Sequence, residues 1–411
     1  MRQKIQQSPS GVTDEAKVHR SSSSLGSVKE VAAKGKPDHG RVPQMEIMKT
    51  GPLVVDMGSG SCKAGFAGQP RPDSVVGSGV GDPRGKSKRS NITVGKSVST
   101  EPDLNVAKPT WQGIIVDWTA AEDLLRHVFD EDLKVAPEEH AILISDPPLS
   151  PTTNREKLAE LLFERFNAPA VHISYQSALA VYSYGKTTGL VVESGDGVTH
   201  TVPVLDGYNI LDAIGRMDVG GHNLTTYLMK LLGEAGNAFH EKDRYIVEDI
   251  KQKCCFVAVD QEKVAQLADQ ESLVDYELPD GHVITIGKER MKCPEALFKP
   301  SVWGSSQEGI HLMTINSLKT VQPQAQQLMY DNILLSGGST MFEGFYSRFC
   351  QEIFPLVPKD IKTNINAVPA RRYAVWIGGS ILASLQAFQS SWIHQKDYQE
   401  RGPFIVHDVC Y

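Results

Sequence analysis

The chain is poor in cysteine, with six in 411 residues. That is too few for a disulfide-stapled scaffold, and no two are spaced Cys-x-x-Cys, which argues against a structural zinc site. No apolar run reaches the roughly 18 residues that a helical membrane span requires. The longest apolar-rich stretch, Ala374 to Phe388, is interrupted by Gly378, Gly379, Ser380 and Gln386. The opening residues, MRQKIQQSPS, have no apolar h-region, so no secretory signal is expected. Positive charge is not in excess. There are 42 Lys and Arg against 49 Asp and Glu, a net charge of −7, so no direct DNA binding is expected. A reduced cytosolic or nuclear protein is the expectation. Apolar residues at 40% and charged residues at 22% are enough to build a core. The length allows roughly two to four domains.

Residues 1–50 differ from the rest. They hold nine Lys and Arg against five Asp and Glu, and seven serines, four of them consecutive at Ser21 to Ser24. Large apolar side chains are sparse, so little surface can be buried to offset chain entropy. A disordered basic Ser-rich tail is expected, either simply solvated or serving as a phosphoregulated docking arm.

Beyond residue 50 the texture is globular. Leu53-Val-Val-Asp56 reads as a buried strand ending at a glycine turn. Ala121–Leu133 and Asn154–Phe166 have the periodicity of amphipathic helices, with Ser150 or Thr152 as candidate caps of the second. The alternation is that of an α/β protein.

An internal repeat points to chemistry. Leu53-Val-Val-Asp56-Met-Gly58-Ser59-Gly60 recurs as Leu190-Val-Val-Glu193-Ser-Gly195-Asp196-Gly197, 137 residues later. Each copy runs into a second strand-like stretch, Cys62 to Phe66 and Val198 to Val202. Each therefore reads as strand, tight glycine turn and returning strand. Such a turn leaves backbone N–H groups pointing outward, able to hold a phosphate. The carboxylate at the strand end can hold Mg²⁺ through water. Two such hairpins would grip one triphosphate from both sides. A third glycine turn, Ser336-Gly337-Gly338-Ser339-Thr340-Met341, follows the apolar run Ile333–Leu335 and fits a strand-to-helix turn beneath a nucleotide.

Duplicated hairpins with a GGST turn resemble the actin, Hsp70 and sugar-kinase superfamily. Longer stretches single out actin: APEEHAI at 136–142, Asn154-Arg-Glu-Lys157, GLVVESGDGVTHTVP at 189–203, YELPDGHVITIG at 276–287, CPEALF at 293–298, VWIGGSILASLQAF at 375–388, and GPFIVHDVCY at 402–411. The resemblance covers about residues 51–411. The wording SDPPLSPTTNREK (145–157) and IKQKCCFVA (250–258) is similar to that of the testis-type actin-like proteins of mammals.

The resemblance implies roles residue by residue. Asp56 and Glu193 would order Mg²⁺ through water, and Lys63 would contact the phosphates of ATP or ADP. Gly58, Ser59, Gly60 and Ser61 form the first phosphate loop; Gly195, Asp196, Gly197 and Val198 form the second. Gln176 and His200 match the pair that positions the attacking water. Lys251 and Arg372 lie where the family holds the adenosine, with Gly337, Gly338, Ser339 and Met341 beneath it. Tyr182, Ile381, Leu382 and Leu385 match the cleft that accepts partner helices. Several positions depart from actin. Met57 replaces Asn, Glu193 replaces Asp, Gln112 replaces His, Gln252 replaces a ribose-binding Glu, and Glu248 replaces Arg. The extra methylene of Glu193 moves its carboxylate by about 1.5 Å, a scale of misplacement that costs around a hundredfold in rate. The segment matching the loop that actin inserts into the next filament subunit, Asp82–Thr93, is shortened and carries Arg84, Lys86, Lys88 and Arg89. The plug segment survives as Val302-Trp303-Gly304. Cys254 and Cys255 read as buried packing.

The expected fold is the actin-like ATPase fold, two ribonuclease-H-like domains around a nucleotide cleft. The first spans 51–184 plus 373–411 with an insertion at about 78–117. The second spans 185–372 with an insertion at about 220–295. Three functions compete. The favoured one is a nucleotide-stabilised subunit of a specialised cytoskeletal assembly in developing sperm, around the acrosome or nucleus, with at most weak ATPase activity, bound by cytoskeletal or perinuclear proteins and not self-polymerising. The others are an ATP-hydrolysing, polymerising actin and a nuclear subunit of a chromatin-remodelling complex.

Overall fold

The computed structural model describes residues 50–83, 92–95, 98, 104–260 and 273–410. The tail reading and the four basic residues at 84–89 lie outside the described residues.

Two mixed sheets organise the chain, and each repeats the same plan. In the first, the strands run in the order Ile393–His394, Ala170–Tyr175, Ile142–Asp146, Leu53–Met57, Ser61–Phe66 and Ser74–Gly77. Leu53–Met57 is antiparallel to Ser61–Phe66 and parallel to Ile142–Asp146. In the second, the order is Tyr208–Asn209, Thr199–Leu205, Gly189–Ser194, Ile333–Ser336 and Ile365–Asn366, with Gly215–Met217 also pairing Thr199–Leu205. Gly189–Ser194 is likewise antiparallel to its hairpin partner and parallel to Ile333–Ser336. The strands Leu53–Met57 and Ile333–Ser336 are buried on both faces; Ile333–Ser336 is a continuous apolar run with parallel neighbours on both sides.

Two helices, Gln176–Ser183 and Ala374–Ser384, lie between the sheets. They share one apolar cluster with Val54 and Leu143 of the first sheet and Val191, Val202 and Leu334 of the second. The indole N–H of Trp376 donates to Val54 O at 3.0 Å, which fixes the second helix to the first sheet. The outer faces carry separate clusters. One contains Leu124, Leu125, Leu158 and Leu162; the other contains Leu224, Leu228, Val247 and Ile250. Smaller sheets are formed by Val80–Pro83 with Thr93–Val94 and Leu104–Ala107, and by Val274–Glu277 with Val283–Ile286.

The α/β class expected from the sequence is observed, with local corrections. The first expected helix starts earlier, at Trp118, because Asp117 caps it: its carboxylate accepts from Thr119 N at 3.1 Å and Ala120 N at 2.9 Å. Its last turn, Val128–Leu133, widens to a π-turn and stops at Lys134 in the left-handed region. The second helix runs Thr152–Glu160 and continues as a π-turn over Leu161–Arg165. Neither Ser150 nor Thr152 caps it. Pro151 stands at the cap with no side-chain hydrogen bond, and proline's fixed φ presets the helix entry instead. Cys254 and Cys255 are buried free thiols, as read from the sequence. Trp303 packs half-buried against the second outer core beside the exposed Val302.

Candidate nucleotide site

The two repeated hairpins have the same turn. Gly58 N donates to Ser61 O at 3.2 Å, and Gly195 N donates to Val198 O at 3.0 Å. The turns also meet each other, and they meet reciprocally. A Cβ on Gly60 would lie 2.7 Å from Asp196 Cβ; a Cβ on Gly197 would lie 2.5 Å from Ser59 Oγ. Gly60 and Gly197 are repeat equivalents, as are Ser59 and Asp196. The two loops therefore face each other about a local pseudo-twofold, and only glycine leaves room for the approach.

At the first strand end, Lys63 Nζ lies 3.0 Å from Asp56 Oδ2. Burial alone would lower the Lys63 ammonium, but the Asp56 carboxylate outweighs it and holds the pKa above the usual range. Ser145 Oγ donates to Asp56 Oδ1 at 2.8 Å, and Gln176 Nε2 reaches the same oxygen at 3.4 Å. Asp56 is thus held rigidly, on a strand buried on every residue.

The second strand end breaks the symmetry. Glu193 pairs in register with Ser336, on the parallel neighbour that matches the strand carrying Ser145. Yet Ser336 Oγ is buried and has no hydrogen-bond partner among the described residues. The longer Glu side chain misses the bond that Asp56 makes to Ser145. Burial first, and the Asp56 charge second, push the Glu193 carboxyl up to about 7, with Lys63 opposing. The folded state therefore holds a proton on Glu193 between about pH 4.5 and 7 that the unfolded chain has released. This contribution is fully present below the unfolded pKa and is lost as pH rises through 7. Glu193→Gln is expected to flatten the fall in melting temperature between pH 5 and 8, measured without nucleotide; identical slopes for the two proteins would refute it.

His200 pairs in register with Glu193 on one side and Arg216 on the other. Its Nε2 is buried without a partner among the described residues. Burial, reinforced by Arg216, pushes it down to about 3, so the ring is neutral at ordinary pH.

Around the second turn the backbone is tightly tied. Gly221 N donates to Gly195 O at 3.0 Å, and Ser339 Oγ donates to the same oxygen at 2.8 Å. Lys251 Nζ donates to Gly221 O at 2.7 Å and Thr225 Oγ1 at 2.8 Å. A Cβ on Gly221 would meet Asp196 Oδ1, Lys251 Nζ and Ser339 Oγ at 3.0 to 3.3 Å, so these three sequence-read residues converge. Gly337 has φ +91° and passes against Ser194 O, which demands glycine, whereas Gly338 faces open space. Met341 is exposed at the end of that turn. Glu248 accepts from Gln252 Nε2 at 3.2 Å one helical turn away.

Arg372 is exposed and lies 5.4 Å over the Tyr373 ring. The GGST turn is braced instead by Arg371, which sequence reasoning missed: its guanidinium donates to Thr340 O at 2.8 Å and Thr340 Oγ1 at 3.1 Å, and its carbonyl accepts from Gly337 N. Ser145 and Gly221 were missed too. The signal for Ser145 was its place at the end of a parallel strand, where α/β ligand sites gather.

The residues fit a Mg-nucleotide on structural grounds: facing turns that a methyl would fill, an open Gly338, a paired Lys63–Asp56, and an unpartnered buried His200 nitrogen. Elsewhere, Tyr182 lies on the helix Gln176–Ser183, Ile381 and Leu382 lie on the helix Ala374–Ser384, and Leu385 caps the end of the latter. Ile381 and Leu385 are exposed, and Tyr182 and Leu382 are half-buried against the inter-sheet core. Burial first, and the half-exposed Tyr208 second, push the Tyr182 phenol up, and the neighbouring Tyr208 was not foreseen.

Comparison with known proteins identifies the family. The actin family model matches residues 47–411. Actin-like protein 7A of Rattus norvegicus is 46% identical over 376 residues, covering 90% of this chain and 84% of that protein. Actin-like protein 7A of Homo sapiens is 46% identical over 375 residues, covering 90% and 86%. Actin-like protein 7B of Homo sapiens is 45% identical over 372 residues, covering 89% of each. With the family model matched over residues 47–411 and relatives aligned over nearly the whole length, the chain belongs to the actin family.

Proposed function

We propose that this protein is a nucleotide-stabilised structural subunit of a specialised cytoskeletal assembly. It binds ATP or ADP with Mg²⁺, hydrolyses it slowly or not at all, and joins its assembly through partner proteins rather than by polymerising alone. The observation that carries the nucleotide reading is the reciprocal approach of the two hairpin turns at Gly60–Asp196 and Gly197–Ser59. Mg²⁺, when bound, would neutralise phosphate charge. Asp56 and Glu193 would hold it through water, the turn amides and Lys63 would hold the phosphates, and Lys251 with the 337–341 turn would border the nucleoside. Gln176 and His200 would orient water.

Slow turnover follows from the second strand end. Glu193 lacks the serine bond that fixes Asp56, so its carboxylate is held less firmly in the position that would order the Mg²⁺ waters. Glu193→Asp is expected to restore the bond to Ser336 and raise ATP turnover. Brisk turnover by the unaltered protein, or no response to the change, would sink this reading.

Lack of autonomous filaments is supported by the basic segment Arg84–Arg89. Seating four like charges in an apolar groove of a neighbour is unfavourable without paired carboxylates. Docking of cytoskeletal or perinuclear partners near Tyr182 and Leu385 is supported by the exposed apolar side chains of Ile381 and Leu385. Placement in developing sperm, subacrosomal or perinuclear, rests on the wording at 145–157 and 250–258. Sedimentation with Mg-ATP and salt, followed by electron microscopy of the pellet, should show no ordered filaments; filaments would return the protein to the polymerising class. Leu385→Asp should weaken capture of partners from tissue extract while leaving nucleotide binding intact.

A further inference from the structure

One short hairpin touches both halves of the site. Thr110–Trp111 pairs with Ile114–Ile115 through a turn at Gln112 and Gly113, both at positive φ. Gly113 N donates to Ser59 Oγ at 3.0 Å, which anchors the hairpin on the first phosphate turn. The same backbone runs over the second: a Cβ on Gly197 would lie 3.0 Å from Gly113 N, and a Cβ on Gly113 would lie 3.2 Å from Val198 Cγ1. Farther out, the Trp111 ring packs edge-to-face on His222, with centroids 5.9 Å apart at 71°. His222 is the second residue of the helix Gly221–Glu234, and its N–H donates to Asp196 O at 2.8 Å. The indole thus grips the element that holds the second phosphate turn. Trp111 is 56% exposed, so this contact can open without disturbing the core.

We propose that the Trp111–His222 contact is a clasp across the mouth of the cleft that sets the rate of nucleotide exchange. The inference rests on the nucleotide reading above and adds its regulation. An aromatic edge-to-face pair contributes beyond its buried area when the rings are neutral. The surroundings favour that form. Burial first, then Lys108 and Arg244, push His222 down against the smaller opposing effects of Asp196 and Glu241. Arg244 also donates to His222 O at 3.2 Å and lies 3.4 Å from Nδ1, which steadies the ring beneath the indole. Neither ring lies in the phosphate turns. The clasp therefore acts on access: when it opens, entry and exit both quicken and affinity changes little.

The test uses the full chain loaded with an N-methylanthraniloyl ATP analogue and Mg²⁺, chased with excess ATP. Trp111→Ala is expected to speed release about three- to tenfold, the range an aromatic pair represents, and to speed binding by a similar factor. Trp111→Phe should stay near the parent rate. His222→Ala should match Trp111→Ala, and the double variant should be no faster than either single one, because both remove the same contact. An unchanged release rate in Trp111→Ala, or equal acceleration by Trp111→Phe, overturns the clasp while leaving the nucleotide reading standing. Independent, multiplying effects of the two alanine changes also overturn it. If the parent protein does not bind the analogue at all, the nucleotide reading fails and the clasp fails with it.

Discussion

Gly378→Ala is expected to destabilise the protein by at least about 3 kcal/mol, enough to leave most of it insoluble on expression. Gly378 lies where the helix Ala374–Ser384 crosses the helix Gln176–Ser183 between the two sheets. A Cβ there would lie 2.5 Å from the carbonyl carbon of Leu179 and closer still to its oxygen. The obstacle is backbone, not a flexible side chain, so the only relief is to separate the helices. Separation strains the shared core of Val54, Leu179, Val191 and Trp376, which are all fully buried. Thermal unfolding of the soluble fraction measures the effect. Gly233→Ala, on an open face of the helix Gly221–Glu234, serves as the control and should be neutral or stabilising. A Gly378→Ala protein that melts with the parent would mean the helices are not held at this distance.

Saturating Mg-ATP is expected to stabilise the parent protein by about 4 kcal/mol at a thousandfold excess over its dissociation constant. EDTA should remove much of that gain. Lys63→Ala should abolish the ligand-induced shift. It will also cost stability without ligand, because Asp56 loses the cation 3.0 Å away and remains buried. The informative quantity is therefore the shift on adding Mg-ATP within each protein, not the melting temperatures themselves. A parent melt that moves with neither Mg-ATP nor EDTA would refute the nucleotide assignment. A Lys63→Ala protein with a full shift would remove Lys63 from the phosphate site and leave the rest.

These two expectations draw on different layers of information. The hairpins were legible in the sequence because a tight turn is a local demand: glycine at fixed spacing after an apolar strand run leaves few other conformations. The repeat at 137 residues made both turns visible, together with their carboxylates and with Lys63. The apolar-rich stretch from Ala374 was equally plain, though not its helical form. Its close approach to Leu179 was not, since a glycine pair in a sequence does not say what passes beside it.

Adjacent residues show the same divide. Arg371 and Arg372 are indistinguishable as neighbouring cations, and resemblance favoured the second. In the folded chain the short helical turn Arg371–Tyr373 points them to different sides. Arg371 reaches Thr340, while Arg372 faces solvent over Tyr373. Likewise, Glu193 was recognisable as a longer carboxylate than its counterpart. Its failure to bond Ser336 depends on a strand from 143 residues later in the chain lying parallel to its own. By itself, the sequence determined the family, the two phosphate turns, the apolar strands and the chemistry available at their ends, because each is encoded in a few consecutive residues. The tertiary structure alone decided which turn faces which, which arginine braces the third turn, and that Trp111 meets His222, because those contacts join segments whose separation along the chain carries no record of their distance in space.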